Sequence, residues 1–240
     1  MPHPRGKVAK AREILLRLER AYGSPEHGPP EDPLDVFIET ILSQNTNDRN
    51  RDIAYTRLRK AFPTWEGVRN APEAQIYDAI FPCGLGRQKA AHIKGFLNWL
   101  QENYGELDLS WLPQFPVDRA ERLFQKVKGI GPKTVKVVLL FACRRDVFPV
   151  DTHIHRISRR LGLISRTTNR EKSHELLSAL IPEGRRFPAH LNLIRFGREV
   201  CHARSPECGR CWVRDLCVEG PFDAPRRPVG SRPRIRTGSK

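Results

Sequence analysis

The sequence predicts an almost entirely α-helical protein. Turn-forming residues recur at short intervals, and the segments between them place apolar side chains at helical spacing. No segment shows sustained alternation of apolar and polar residues, so no β-sheet is expected. The most strand-like stretch, residues 146–150, contains Pro149, which favours an extended loop.

Apolar stripes mark the helices in chain order. The first helix is expected over residues 8–22, and the next begins after Asp32, which can cap it, with Pro33 as its first residue. Further helices precede the turns at Gly105, Gly129 and Pro182. The stripes are Val8, Ala11, Ile14, Leu15 and Leu18; Leu34, Phe37, Ile38, Ile41 and Leu42; Ile93, Phe96, Leu97 and Leu100; Ala120, Leu123, Phe124 and Val127; and Leu176, Leu177 and Leu180.

Length and charge narrow the class of protein. A chain of 240 residues suits one large domain or two small ones. Its 42 Lys and Arg against 27 Asp and Glu give a net charge of +15, which favours nucleic acid as partner over an acidic substrate or a membrane surface. The longest apolar run, Val137–Cys143, is too short to span a membrane, and the charged N-terminus lacks a signal-peptide core. We therefore expect a soluble cytoplasmic protein.

The C-terminal end differs in composition from the rest. The last twenty residues are rich in Pro, Arg and Gly and carry six basic residues and one acidic residue. Such a segment cannot form a core, so we expect a basic, disordered tail over residues 218–240. It serves either non-specific attraction to DNA or solubility.

The sharpest local motif is VKGIGPKTVKVVLLFAC, residues 127–143. A helix is expected to end at Gly129, and a new one to begin at Pro132, with Gly129 and Gly131 permitting an unusual backbone between them. This is the pattern of a helix-hairpin-helix, in which N–H groups opening the second helix point at a DNA phosphate. Glycine at an ordinary helical corner is the alternative.

Two charged residues near this hairpin are candidates for catalysis. Lys133 lies at the positive end of the second helix, so we expect a lowered pKa and an amine able to attack carbon; a phosphate contact is the alternative. Asp151 is a good N-cap for the following helix, and it could also stabilise positive charge developing on a sugar. His153 and His155 do not share a helical face, so they are expected to be structural or phosphate-facing rather than metal ligands.

Four of the six cysteines form a cluster. Cys201, Cys208, Cys211 and Cys217 follow the pattern C-x6-C-x2-C-x5-C. Four thiolates so close together in a cytosolic chain indicate a metal centre, and a single C-x2-C pair favours a [4Fe–4S] cluster over zinc. Arg210 and Arg214 bring positive charge near it. The remaining cysteines are expected to be core thiols (Cys83 and Cys143).

Together these motifs resemble the endonuclease III family of helix-hairpin-helix DNA glycosylases. The resemblance covers about residues 32–217. It rests on LSQNTND (42–48), GLGRQKA (84–90), KGIGPKT (128–134), FPVDTHIHR (148–156) and the four cysteines. Related adenine glycosylases lack the lysine, and the 8-oxoguanine branch lacks the cluster.

The resemblance implies a two-domain all-α fold. A six-helix barrel that includes the hairpin is expected over residues 29–145, and a discontinuous [4Fe–4S] domain over residues 1–28 and 146–217. DNA would bind with the damaged nucleotide flipped out of the helix.

The resemblance also implies roles for individual residues. Lys133 matches the lysine that forms a Schiff base with C1′, and Asp151 matches the catalytic aspartate. Leu85 matches a wedge that replaces lost stacking, and either Gln44 or Asn45 fills the gap left by the flipped base. DNA contacts are expected from Gln44, Asn45, Asp48, Leu85, Gly129, Gly131, Thr134 and His153.

The function implied is that of a bifunctional DNA glycosylase and AP lyase in base excision repair. It would remove oxidised pyrimidines from duplex DNA and cleave the strand 3′ to the site by β-elimination. The partner is double-stranded DNA with damaged bases or abasic sites, bound by a monomer near the nucleoid. The alternatives are a monofunctional glycosylase for mismatched or alkylated bases and a non-catalytic DNA-binding module.

Overall fold

A computed structural model describes residues 4–220 of the chain, with side chains from residue 6 onward. All of its regular secondary structure is helical, and residues 144–151 form the expected extended loop. Within residues 4–220, no helix is both long and apolar enough to cross a membrane. The basic stretch from residue 221 to 240, and with it the predicted tail, lies outside the described residues.

The described chain forms two compact units, one from His27–Pro149 and the other from residues 4–26 and 150–220. We call them the barrel unit and the split unit. The barrel unit contains seven α-helices. They are α2 (Pro33–Leu42), α3 (Asp48–Ala61), α4 (Trp65–Asn70), α5 (Glu73–Ile80), α6 (Gly86–Tyr104), α7 (Val117–Phe124) and α8 (Pro132–Phe141). The sequence predicts six helices in this part of the chain and the structure has seven; Pro72, with φ of −57° and ψ of 142°, separates the two short helices α4 and α5.

The barrel unit packs around three fully buried phenylalanines. Phe37 of α2 lies 4.9 Å from Phe96 of α6 and 4.7 Å from Phe124 of α7, measured between ring centroids. These rings occupy the predicted stripes, and α8, whose Val135, Val138 and Leu139 are buried, packs against α2 and α7. The Arg145 guanidinium donates to the Pro113 carbonyl at 3.0 Å, which fastens the start of the extended loop to this unit.

The split unit contains four α-helices. They are α1 (Pro4–Tyr22), α9 (Thr152–Arg160), α10 (Arg170–Ser178) and α11 (Arg186–Glu199). Helix α11 packs against α1 and α9, and its Phe196 lies 6.3 Å from Trp212 of the cysteine-rich segment. Tyr22 meets the same indole edge-on at 5.1 Å. The cysteine-rich segment is therefore packed onto the helices rather than suspended from one of them.

Candidate DNA-repair active site and iron–sulfur centre

The hairpin has the expected architecture but a different first boundary. Helix α7 ends at Phe124, five residues before Gly129, and single turns carry the chain onward to Ile130. Only Gly129 has a left-handed backbone, with φ of +89°; Gly131 is extended at −99°. A Cβ on Gly129 would collide with the His92 imidazole, whereas one on Gly131 would enter open space. Gly129 therefore allows close packing against His92, whereas Gly131 leaves open space at the start of α8.

Lys133 lies in the first turn of α8, as predicted. It is half-buried and off the stripe formed by Val135 and Val138, which faces the barrel core. Thr134 is only 4% exposed, and its N–H donates to the Gly131 carbonyl at 2.9 Å; its contact with DNA stays a prediction. Lys136, one turn further on, is paired with Glu121 of α7.

Asp151 caps helix α9 in the split unit. Its Oδ1 accepts from the Ile154 N–H at 2.7 Å, so the N-cap prediction is confirmed. The N–H of Val150, the preceding residue, donates to Nδ1 of the buried His174 at 3.3 Å. The Asp151 backbone is therefore held from both sides. Sequence reasoning missed His174, which lies 24 residues from Val150 along the chain.

His153 follows Asp151 by two residues and faces the split unit's interior. Its Nδ1 lies 3.2 Å from the Arg156 guanidinium, and its ring packs so closely on Gly197 that a Cβ there would stand 2.9 Å from it. His155 contacts the Thr168 carbonyl at 2.8 Å. Both contacts fit the structural alternative for these histidines, and the DNA contact expected of His153 stays a prediction.

The segment LSQNTND forms the loop between α2 and α3. The Gln44 amide donates to the Gly129 carbonyl at 3.1 Å, which ties this loop to the hairpin. The next residue, Asn45, is exposed and has a left-handed backbone with φ of +52°. Asp48 begins α3 and pairs with Arg51 at 3.6 Å, so its carboxylate serves the helix start. The two candidate amides therefore have distinct positions.

Leu85 stands at the start of α6. Its backbone is left-handed with φ of +50°, and 52% of the residue is exposed, which is unusual for a leucine. Gly84 before it also has a positive φ of +64°. The turn pushes an apolar side chain outward, as a wedge requires.

The four clustered cysteines line one cavity in the split unit. The cavity has a volume of about 160 Å³, and all four thiols are half-buried around it. Burial, reinforced by the neighbouring thiols, raises the pKa of Cys211 to about 12, so loading iron must displace its proton. Among residues 4–220, no three His, Cys, Asp or Glu side chains converge on a single metal ion. Thiols spread around a cavity fit a multi-iron cluster, whose irons each take one thiolate, better than a lone zinc ion.

Two arginines of α9 contact the cysteine-rich segment beside this cavity, and the sequence analysis did not single them out. Arg160 donates to the Cys201 sulfur at 3.3 Å and to the His202 carbonyl at 2.6 Å. Arg156 donates to the Cys201 carbonyl at 2.7 Å. Of the arginines expected there, Arg214 lines the cavity, but Arg210 pairs with Glu207 at 3.1 Å. The spacing of Arg156 and Arg160 by four residues on one helical face was the available signal. Cys83 and Cys143 are buried elsewhere, as core thiols.

Comparison with known proteins agrees with these features. Residues 38–183 match the family model of the HhH-GPD superfamily base excision DNA repair proteins, and residues 201–217 match the iron-sulfur binding domain of endonuclease III. The chain belongs to the endonuclease III family. It is 35% identical to endonuclease III of Thermotoga maritima over 86% of this chain and 90% of that protein. It is 32% identical to endonuclease III of Sulfolobus acidocaldarius over 86% of this chain and 95% of that protein.

A solved structure extends the similarity. A trapped endonuclease III–DNA covalent intermediate, the estranged-adenine complex, superimposes with a TM-score of 0.75 at 28% identity, covering 92% of this chain and 98% of that one. This endonuclease III family member is thus a bifunctional DNA glycosylase and AP lyase of base excision repair, and its cofactor is a [4Fe–4S] cluster. The sequence-based predictions of family, fold class, enzyme class and cofactor are confirmed.

Proposed function

We propose that Lys133 is the nucleophile and that the substrate is an oxidised pyrimidine in double-stranded DNA. The supporting observation is the position of Lys133, half-buried in the first turn of α8 and two residues after Gly131, where a side chain would meet open space. The amine bonds to C1′ as the bond from C1′ to the base breaks, and the base leaves with the electron pair. Opening of the sugar ring gives the Schiff base, and loss of a C2′ proton then expels the 3′ phosphate.

Asp151 is the proposed carboxylate partner in this chemistry. Its Oδ1 already serves the N-cap of α9, so the carboxylate is oriented before substrate binds. A fixed negative charge stabilises the positive charge that develops on the sugar as the base departs. The predicted phosphate contacts come from the hairpin, through the backbone at Gly129 and Gly131.

Asn45 and Leu85 are the proposed wedges. Gln44 uses its amide on the Gly129 carbonyl, whereas Asn45 is exposed, which favours Asn45 as the residue that faces the orphaned base. Leu85 supplies the apolar surface that compensates for lost stacking. Asp48, which pairs with Arg51, and His153, whose ring meets Arg156, are further proposed contacts to DNA.

The four cysteines hold the [4Fe–4S] cluster of the proposed iron–sulfur domain, residues 4–26 and 150–217. When bound, the cluster supplies four iron–thiolate bonds that tie the cysteine-rich segment together. Residues 27–149 form the proposed barrel domain. We also propose that the protein acts as a monomer at the DNA of the nucleoid.

Borohydride trapping tests the nucleophile. The holoprotein is incubated with duplex DNA carrying an abasic site or an oxidised pyrimidine, and imines are reduced to stable covalent complexes. We expect complexes on both substrates, lost in Lys133→Ala. Lys136→Ala is the matched control, because it removes an ammonium from the next turn that is paired with Glu121. Trapping that persists in Lys133→Ala would overturn the assignment. A complex on abasic DNA alone would leave the lyase but remove the oxidised-pyrimidine substrate.

A further inference from the structure

A buried lysine lies beneath the loops that carry the two proposed wedges. Lys89, in the first turn of α6, is only 1% exposed. Its ammonium donates to the Leu42 carbonyl at 2.8 Å and to the Cys83 carbonyl at 2.8 Å. Lysine is among the residues least often buried, so this placement asks for an explanation.

Each acceptor carbonyl belongs to the last helical residue before one of the two proposed wedge residues. Leu42 is the final residue of α2, and Asn45 follows three residues later. Cys83 ends a single 3-10 turn, and Leu85 follows two residues later. Lys89 also donates its own N–H to the Leu85 carbonyl at 3.0 Å. One residue therefore bonds to the base of one wedge loop, to the base of the other, and to a wedge residue itself.

This arrangement opposes the local electrostatics. An ammonium in the first turn of a helix faces the positive end of the helix dipole. Burial also disfavours the charged form and lowers the pKa of Lys89. An apolar side chain of similar length would fill the same space without either cost. What the lysine adds is the pair of bonds to the Leu42 and Cys83 carbonyls, together with a contact to the Cys83 thiol.

Both wedge residues need external support for their backbones. Asn45 and Leu85 are non-glycine residues with φ of +52° and +50°. Such conformations cost roughly 1 kcal/mol or more each and persist only where the surroundings fix them. If either loop relaxes, its side chain turns away from the DNA.

We propose that Lys89 is a positioning residue whose ammonium holds the loops of Asn45 and Leu85 at a fixed separation, so that both side chains enter the DNA helix together. The inference rests on the proposed wedge roles. It assigns Lys89 to base flipping rather than to the chemistry at C1′. Lys89 should therefore matter for a base that must be extracted from the stack and matter little for an abasic site.

Lys89→Met tests this, with Lys94→Met as the matched control. Lys94 lies on the same helix and also donates to a backbone carbonyl, that of Ala71, which belongs to neither wedge loop. We expect Lys89→Met to slow single-turnover excision of an oxidised pyrimidine at least about tenfold, while trapping at an abasic site changes within about twofold. Lys94→Met should leave the ratio of the two rates unchanged. Equal losses of both activities in Lys89→Met, or the same change of ratio in Lys94→Met, would overturn the inference.

A second measurement separates this inference from the proposed wedges. In a chain that already carries Asn45→Gly and Leu85→Ala, Lys89→Met should slow excision by no more than about twofold, because the residues it positions are gone. A full further loss there would contradict the inference. If Asn45→Gly and Leu85→Ala themselves leave excision unchanged, the wedge assignment fails instead. Should Lys89→Met not fold, Lys89→Gln replaces it, because its shorter amide cannot reach both carbonyls: an unchanged ratio of the two rates would count against the inference, and a reduced ratio would support it.

Discussion

Two groups of irregular segments carry the function, and they are held in opposite ways. We call residues 43–48, 84–85 and 128–131 the barrel loops. They are held by single side chains that donate to backbone carbonyls, namely the Gln44 amide and the Lys89 ammonium. The cysteine loop, residues 201–217, is bordered by Arg156 and Arg160, whose guanidinium groups meet both carbonyls and thiols. Both groups consist mostly of backbone outside α-helices, and in both, side chains donate to backbone carbonyls.

The difference lies in where opposing charge comes from. Four thiolates around iron are anionic, so the cysteine loop gives its arginines a counter-charge once the cofactor is bound. In the barrel loops, Lys89 is instead stabilised by the carbonyl dipoles of Leu42 and Cys83 and by the Cys83 thiol. The barrel loops should therefore keep their geometry without any cofactor, whereas the cysteine loop should not. Each prediction below breaks or sharpens this contrast.

Removing the iron–sulfur cluster should have the largest effect, and it should destabilise the cysteine loop and not the barrel loops. Chelation of iron after mild oxidation removes the iron–thiolate bonds, and we expect the cysteine loop to lose on the order of 5 kcal/mol of local stability. Hydrogen exchange read by mass spectrometry measures this directly. Protection should fall over residues 201–217 and stay unchanged over 43–48 and 128–131. Loss of protection in both groups would show that the barrel loops also depend on the cofactor.

The hairpin glycines offer a matched pair with separable effects. Gly129→Ala forces a Cβ into His92 at a positive φ, so we expect a loss of about 2 to 3 kcal/mol in the free energy of unfolding. Gly131→Ala adds a methyl group in open space at an ordinary φ, so stability should change by less than about 1 kcal/mol.

The effects of the same two substitutions on DNA binding should differ from their effects on stability. The Gly131 methyl group enters the space where a phosphate would approach, so Gly131→Ala should weaken binding to undamaged duplex despite its normal stability. Chemical denaturation and fluorescence anisotropy measure the two quantities. Normal DNA affinity in Gly131→Ala would argue against a phosphate at the start of α8.

Asn45→Gly removes the side-chain amide while keeping the backbone conformation. Glycine accepts the left-handed φ of +52° without strain, so only the side chain is removed. We expect excision to slow about tenfold and the dependence on the opposite base to flatten, since the missing amide is the group proposed to face that base. Single-turnover rates with each of the four opposite bases measure this. Gln44→Leu is the comparison: it breaks the bond to Gly129, so it should slow excision opposite all four bases equally.

How far the sequence predicts this molecule follows from the range of each interaction. The stripes through Phe37, Phe96 and Phe124 are local periodic signals, and they located their helices. Pro132 and Asp151 likewise marked the helix starts, because caps act within three residues. The end of α7 was wrong by five residues because single turns continue the chain to the hairpin without a helix.

Local sequence patterns could not predict the long-range contacts that support the candidate site. Lys89 and Arg160 look like surface charges on polar helices, and their acceptors lie 47 and 42 residues away, at Leu42 and His202. Thr134 matched a family motif, yet its burial follows from the packing of α8, which no motif encodes. Long-range polar contacts to backbone carbonyls depend on the fold as a whole, and any carbonyl can accept them.

The smallest effect concerns acid and the support beneath the hairpin. Burial and the nearby Lys128 lower the pKa of His92 below its usual 6.5, and its Nδ1 has no hydrogen-bond partner among residues 4–220. The unfolded chain then binds a proton that the folded protein excludes, so stability is lost as pH falls below 6.5 and stops falling below the lowered pKa. We expect a loss of up to about 1 kcal/mol between about pH 7.5 and pH 5.5, absent in His92→Gln. Denaturation monitored by hydrogen exchange at the hairpin amides measures it, with His155→Gln of the split unit as control. The same acid loss in His92→Gln would assign it to another group and leave the barrel loops insensitive to pH.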